Sequence, residues 1–453
     1  MSARALGLSM VAAVGLALVA LPAVAAGKQE LKIGVAKIDI TPKDLTGMIG
    51  IVPRPYGGVH DHLFARALIL QSGADTAAIV ALDLVEIGDT TVLRQRIAKE
   101  LGVPADHIII NASHDHNAPR GGPVTPNTSS VTGRPYSPEP YIKQVDEGIV
   151  EAMRQAKRGL QPARVGYGTG KVDVSQQRYG YTVERGWRES PNEEGFSDKT
   201  LAVVKFETPA GKPIAVLFNY AVHSNSLTGE PSNMINGDIS GNAETFVEHQ
   251  FKEPVVALWS MGAAADQYPK YNYDMGLLDD KASVFAPVEI QGAMIGGEVM
   301  KVLKRTTQMT DKVSLWASER VPTCPMFVPP PNPNPPAPPP LAPGAPPRPA
   351  PMQLLPPSKP GDTLGIHLGM IRLNEIVITG VSGEVGSQIF QHLKRVSPFA
   401  NTMMITLSND RDGYIPDDAG WDHQGPQGQA FVRGCAEKAI VDNLSQMINA
   451  TLP

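Results

Sequence analysis

The stretch HIIINASHDHNAPRGG, residues 107–122, joins three consecutive isoleucines to two histidines, His114 and His116, and then to a turn rich in Pro and Gly. A short β-branched run bounded by turn residues reads as a buried strand. If the chain leaves that strand near Asn111 and stays extended, residues two apart face the same side. His114 and His116 then share a site just past a strand end, where open α/β sheets place their ligands. Neutral imidazole is a favoured zinc ligand. On its own, however, a His-x-His reads more readily as a surface or hydrogen-bonded pair.

Similar apolar runs recur along the chain, among them LKIGVAKIDIT, LFARALILQS, AAIVALDLV, LAVVKFET, IAVLFNYAVH, VVALWSM, IRLNEIVITGVS and TMMITLS. Between several of them lie helix-period segments such as residues 90–101 and 140–155. Strands alternating with helices predict an α/β fold, a mixed sheet flanked by helices, and residues 30–453 suffice for one large domain or two ordinary ones. A closing helix is expected over residues 435–447. No internal repeat is visible.

Residues 1–26 carry an early arginine, a long apolar run and a small-residue end, Ala23-Val24-Ala25. That is the layout of a secretory signal peptide, the alternative being an uncleaved anchor. No later stretch is apolar enough to span a bilayer, so the mature chain is expected to be secreted or periplasmic. A net charge of -5 and a pI near 6.1 give no support for a nucleic-acid partner. The two cysteines, Cys324 and Cys435, read either as a disulfide or as two buried thiols.

Residues 329–360 hold 17 prolines in 32 positions, which excludes a central strand or helix interior there. The tract reads as a linker, as an inert surface insertion, or as a polyproline ligand for a partner's aromatic groove. Candidate site residues on both sides of it favour an insertion.

The segments GVAKIDITP, GGVHDHLFARALIL, NASHDHNAP, NYAVHSNSL followed by NGDISGNAE, GVSGEV and DGYIP occur in this order. In that order the chain resembles the catalytic domain of the neutral ceramidase family, from about Gly34 onward. The resemblance implies zinc ligands at His114, His223, Glu384 and Tyr414, with His116 beside the substrate and Arg178, in SQQRYG, approaching it. Chemically, two neutral imidazoles and a carboxylate leave zinc positive enough to bring the pKa of a coordinated water to roughly 7. Tyr414 could ligate weakly or stabilise an oxyanion. Taken singly, His223 reads as a core histidine, Glu384 as a carboxylate favoured at a helix start, and Tyr414 as a turn aromatic.

Two departures from the family pattern stand out. Family members carry Gly-Asp-Val-Ser-Pro where this sequence has Ala265-Asp266-Gln267-Tyr268-Pro269. Tyr268 therefore replaces the serine considered a nucleophile, and no Gly-x-Ser-x-Gly elbow substitutes for it. The family also continues into a C-terminal β-sandwich, for which the present sequence leaves no room. The expected activity is zinc-assisted hydrolysis of an N-acyl amide, with His116 or Asp266 handling the proton and Arg178 or Tyr414 facing developing charge. The alternatives are hydrolysis of another amide or ester, and a zinc-binding protein without turnover.

Overall fold

The structure is a computed structural model that describes residues 27–452 apart from 52–53, 123–136, 228–232, 272–282, 329–358, 360 and 424–428. The expected signal peptide, and all of the proline tract but Lys359, lie outside the described residues.

The fold is α/β with mixed sheets flanked by helices, as expected, and three such sheets dominate. The first pairs β1 (Gln29–Asp39), β2 (Phe64–Ser72), β3 (Asp75–Leu82) and β4 (Ile108–Ala112) in that order. The second runs β5 (Arg164–Lys171), β6 (Thr200–Glu207), β7 (Pro213–Tyr220) and β8 (Val256–Met261). The third runs β9 (Leu315–Arg320), β10 (Leu368–Leu373), β11 (Ile376–Val381) and β12 (Asn401–Ile405). Each ends in a parallel pair, and each pair is joined through one helix. These helices are α1 (Thr91–Leu101), α3 (Asp238–His249) and α5 (Ser387–Val396). Parallel neighbours need such a crossover, whereas the antiparallel strands before them need only turns. The same unit thus occurs three times with no sequence repeat to announce it. A strand–helix–strand unit requires only apolar periodicity, which many sequences satisfy.

The inner faces of all three sheets share one apolar core, contributed by residues such as Ile33, Leu68 and Ile79, then Val204, Phe206 and Leu217, then Ile371, Ile378 and Met403. The strand period of two sends alternate residues outward. On β7, Ala215 and Leu217 enter the shared core, while Val216 and Phe218 face α3 and α4 (Ala286–Arg305). The first sheet is covered by α1 and α2 (Glu139–Arg158), the third by α5 and α6 (Ala436–Asn449). Each fully buried aliphatic side chain contributes roughly 1.5–3 kcal/mol, so sharing one centre stabilises every sheet.

Helix α2 illustrates the local logic. Pro140 opens it, Glu139 sits at its positive end and Lys157 and Arg158 at its negative end, while Val145, Ile149, Met153 and Ala156 form the buried stripe. It packs so closely on β1 that a Cβ at Gly34 would lie 1.8 Å from the Ala156 carbonyl oxygen. Only glycine fits there.

Cys324 and Cys435 form a disulfide with Cα atoms 5.9 Å apart, 111 residues apart in sequence. Short strands Thr323–Pro325 and Thr363–Gly365 pair antiparallel, so the flanks of the proline tract lie side by side. The first two sheets are joined by a buried ion network. Arg66 on β2 donates to both oxygens of Asp83 at 2.8 and 2.7 Å and lies 2.7 Å from Glu244 of α3.

Closing a loop of that length restricts the unfolded chain, so replacing both cysteines by serine is expected to lower unfolding free energy by about 2–5 kcal/mol in urea titration. Arg66→Met strands two buried carboxylates and is expected to cost about 3–5 kcal/mol in the same assay. A loss under 1 kcal/mol would refute the account of that network.

Candidate metal centre

Just beyond the ends of the parallel strands, three loops meet. His114 follows β4, His223 follows β7 and Glu384 follows β11, and all three are buried. Glu384 Oε2 lies 3.2 Å from His114 Nε2 and 3.2 Å from His223 Nε2. His116 Nε2 lies 3.2 Å from His114 Nε2. The coordinating atoms of His114, His116 and His223 all fall within 4.8 Å of one another.

The backbone that achieves this is not the extended one expected. His114 has φ of 61°, in the left-handed region, so the chain turns sharply after Ala112. Both imidazoles still converge, because His114 Nδ1–H donates to the Val85 carbonyl at 2.9 Å and fixes the ring. A strained non-glycine residue persists only where its surroundings over-determine it. Below it, Arg120 donates to Glu86 at 2.6 Å, and Arg411 pairs with the other oxygen of the same carboxylate. Burial opposes the Glu86 charge, but the two arginines outweigh it and hold its carboxyl below the usual range.

His223 Nδ1–H donates to the carbonyls of Ala264, at 2.7 Å, and Gln267, at 3.0 Å. Carbonyl oxygen only accepts, so the proton of each neutral ring is on Nδ1 and the lone pair is on Nε2. Glu384 is placed by Gly383, whose φ of 106° suits glycine and whose Cβ would lie 2.9 Å from the Gly413 carbonyl oxygen. The Glu384 N–H donates to that carbonyl at 2.8 Å, and Glu384 pairs with Tyr414 in a short parallel bridge. This close crossing of the two backbones holds the third loop against the segment after β12.

Tyr414 stacks on His223, with ring centroids 6.5 Å apart. Arg178, on the strand Ser175–Thr182, places its guanidinium carbon 5.0 Å from the Tyr414 ring centre and 4.9 Å from that of Tyr268. Its Nη1 points at His223 Nε2 from 3.2 Å. Burial lifts the Tyr414 hydroxyl above its ordinary range, partly offset by Arg178. Burial, with the charges of His114 and Arg178, pushes His223 down to about 4, against the pull of Glu384.

Three acceptor atoms, His114 Nε2, His223 Nε2 and Glu384 Oε2, therefore crowd one point, and Arg178 supplies a donor to only one of them. A cation resolves that arrangement. The donor set, imidazole nitrogen and carboxylate oxygen, fits a divalent transition ion.

Asp266 sits differently. Its oxygens accept from the Ser387 N–H at 2.8 Å, the Ser387 hydroxyl at 2.7 Å and the Gln177 amide at 3.0 Å. The carboxylate anchors the start of α5 and faces a cavity of about 300 Å³ lined by Gln177, Tyr179, Trp187, Phe196, Pro416 and His423 among others. Tyr268 lies with its ring centre 5.8 Å from that of His223.

Several supporting residues were not anticipated. Asp238, with φ of 41°, accepts from the N–H groups of Ser226, Leu227 and Ile239 and from the Asn117 side chain, tying the loop after His223 to the loop after His114. Burial pushes its carboxyl up to about 6. Its place in NGD before an apolar helix was the visible signal. Glu86, Arg120 and Arg411 gave none, because the carboxylate's two partners lie in separate segments, Arg120 34 residues after it and Arg411 beyond the third sheet.

The family model described as neutral/alkaline non-lysosomal ceramidase, N-terminal, matches residues 31–271. Neutral ceramidase from Pseudomonas aeruginosa is 26% identical over 260 residues, covering 54% of this chain and 38% of that protein. Neutral ceramidase B from Dictyostelium discoideum is 25% identical over 252 residues, covering 51% and 33%. The chain thus spans little more than a third of the length of these relatives. The crystal structure of the Pseudomonas aeruginosa neutral ceramidase superposes with a TM-score of 0.69 at 17% identity, over 93% of this chain and 74% of that one. That likeness shows a common fold and, at 93% of the chain, extends past the family match. With more than half of its length matched by the family model, the chain belongs to the neutral/alkaline non-lysosomal ceramidase family.

Proposed function

We propose that this chain is an exported zinc-dependent hydrolase that cleaves a linear N-acyl amide, with a ceramide-like lipid as its substrate. The observation that carries this reading is the convergence of His114 Nε2, His223 Nε2 and Glu384 Oε2 on one buried point within a ceramidase-family fold. Zinc is the metal that this nitrogen and oxygen set suits, with Tyr414 as a fourth, weaker ligand. When bound there it supplies Lewis-acid chemistry, polarising a carbonyl and acidifying water.

The protein groups divide the remaining work. His116, partly exposed beside His114, is the group to take a proton from water and return it to the leaving amine. Arg178, buried and permanently charged, faces the oxygen on which negative charge develops, and Tyr268 and Tyr414 hold its guanidinium in place. Asp266 acts as a positioning residue, fixing the start of α5 and the wall of the adjoining cavity. No serine nucleophile is required, which accommodates Tyr268. The disulfide supports export, since such bonds persist in oxidising compartments. The proline tract is read as an insertion within one unit, since the short strands on either side of it pair with each other.

A second reading, hydrolysis of a different amide or ester, is favoured by the cavity beside Asp266. Gln177, Asn192, Gln388, Asp417 and His423 set hydrogen-bonding groups into its mainly apolar lining, which suits an acylated substrate whose polar part differs from that of ceramide.

The deciding assay is hydrolysis of a fluorescent N-acylsphingosine by the zinc-loaded chain, with His114→Ala alongside. Turnover is expected to fall at least about 100-fold in the variant. A folded, zinc-loaded chain without turnover would transfer the assignment to the second reading. Glu384→Gln keeps the shape but removes the charge, so zinc affinity in competition with a chelator is expected to drop at least about 100-fold, beyond the roughly 10–100-fold typical of groups that only support a ligand. Unchanged retention would remove Glu384 from the ligand set.

A further inference from the structure

A second cluster of potential ligands draws on residues close in sequence to Glu86 and to Arg411. Asp89 lies two residues before α1, His367 precedes β10, and Asp410 lies on the segment that runs from β12 to Tyr414. The coordinating atoms of these three residues fall within 4.8 Å of one another. We propose that Asp89, His367 and Asp410 form a second divalent-cation site, separate from the first, that takes a transition ion of the zinc or manganese class.

The placement of each group points the same way. His367 Nδ1 lies 3.0 Å from Glu319 Oε1, and Glu319 is itself held by Arg94 at 2.9 Å. A carboxylate accepts, so Nδ1 carries the ring proton and the nitrogen left to coordinate is Nε2. A histidine oriented through its second nitrogen by a carboxylate is the arrangement that metal-binding histidines use. Asp410 is 5 % exposed, and its hydrogen bond is from the N–H of the next residue, to Oδ1. Asp89 accepts locally as well, from the Thr91 N–H at 2.8 Å. The two carboxylates therefore approach each other and the imidazole without hydrogen bonds between them, although like charges repel and burial raises the cost. One nitrogen and two carboxylate oxygens suit zinc or manganese better than calcium, which requires more oxygen ligands.

The backbone is built to hold this geometry. Asn409, with φ of 68°, accepts from the Ile110 N–H at 2.8 Å, donates to the Ile108 carbonyl at 3.0 Å, and receives the Thr90 hydroxyl on its own carbonyl at 2.8 Å. These bonds clamp the residue before Asp410 against β4 and the residue after Asp89. An ion held here would brace the start of α1, the start of β10 and the segment that leads to Arg411 and Tyr414. The site would act as a structural support of the first centre, without touching a substrate.

The test titrates the metal-stripped full chain with Zn2+ and separately with Mn2+ in a calorimeter, with Ca2+ as a control. Two sites per chain are expected with the transition ions. His367→Ala and Asp410→Asn should each weaken one of them at least tenfold and leave the other. His114→Ala should do the reverse, so failure of the first centre is read separately from failure of this one. Circular dichroism checks each fold, and Asp89→Asn, at a partly exposed position, serves where Asp410→Asn unfolds. Binding that is the same in wild type, His367→Ala and Asp89→Asn overturns the proposal, whether one site is found or none. Stronger binding of Ca2+ than of Zn2+ overturns the assigned metal class.

Discussion

Three side chains from three different sheets must bring their lone pairs to one point, and most of the architecture follows from that demand. Such lone pairs repel without a cation, so the site exists only because the loops that carry them have nowhere else to go. His114, His223 and Glu384 each follow a strand whose inner face is locked into the shared apolar core. Packing against a common centre fixes the relative positions of the strand ends, and the strand ends fix the ligands. A shift of one ångström between sheets would undo the convergence.

The loops themselves are stiffened by polar groups that are costly to bury. Asp238 gathers three backbone N–H groups, Glu86 sits between two arginines, and Asp266 holds the first turn of α5. A buried carboxylate is destabilising unless its lone pairs are satisfied, and here satisfying them ties separate loops together. Positive φ at His114, Asp238 and Asn409 belongs to the same economy of strain. Backbone conformations that cost energy locally are held by hydrogen bonds that reach other loops.

Much of this was legible in the sequence. Apolar β-branched runs marked the main strands, and the helix-period segments correspond to α1 and α2. His114, His116, His223, Glu384, Arg178 and Tyr414, named through their resemblance to a family pattern, meet in one place. Less legible was how they meet. The alternation argument for His114 and His116 assumed an extended chain, whereas a left-handed residue brings the rings together. Asp266 is one of two groups expected from the sequence to handle the proton, and only the fold shows that its oxygens also accept from Gln177 and from a helix start that lies 121 residues away.

The sequence by itself determined which segments become strands and helices, because hydrophobic period and turn chemistry are local properties. It also determined the chemical types available to a site, since imidazole, carboxylate and guanidinium are fixed by residue identity. Only the tertiary structure decided that three sheets share one core, that Cys324 reaches Cys435, and that Asp89, His367 and Asp410 become neighbours. The physical reason is range. Pairings across tens to hundreds of residues depend on how the sheets pack, and that packing is a property of the whole buried surface.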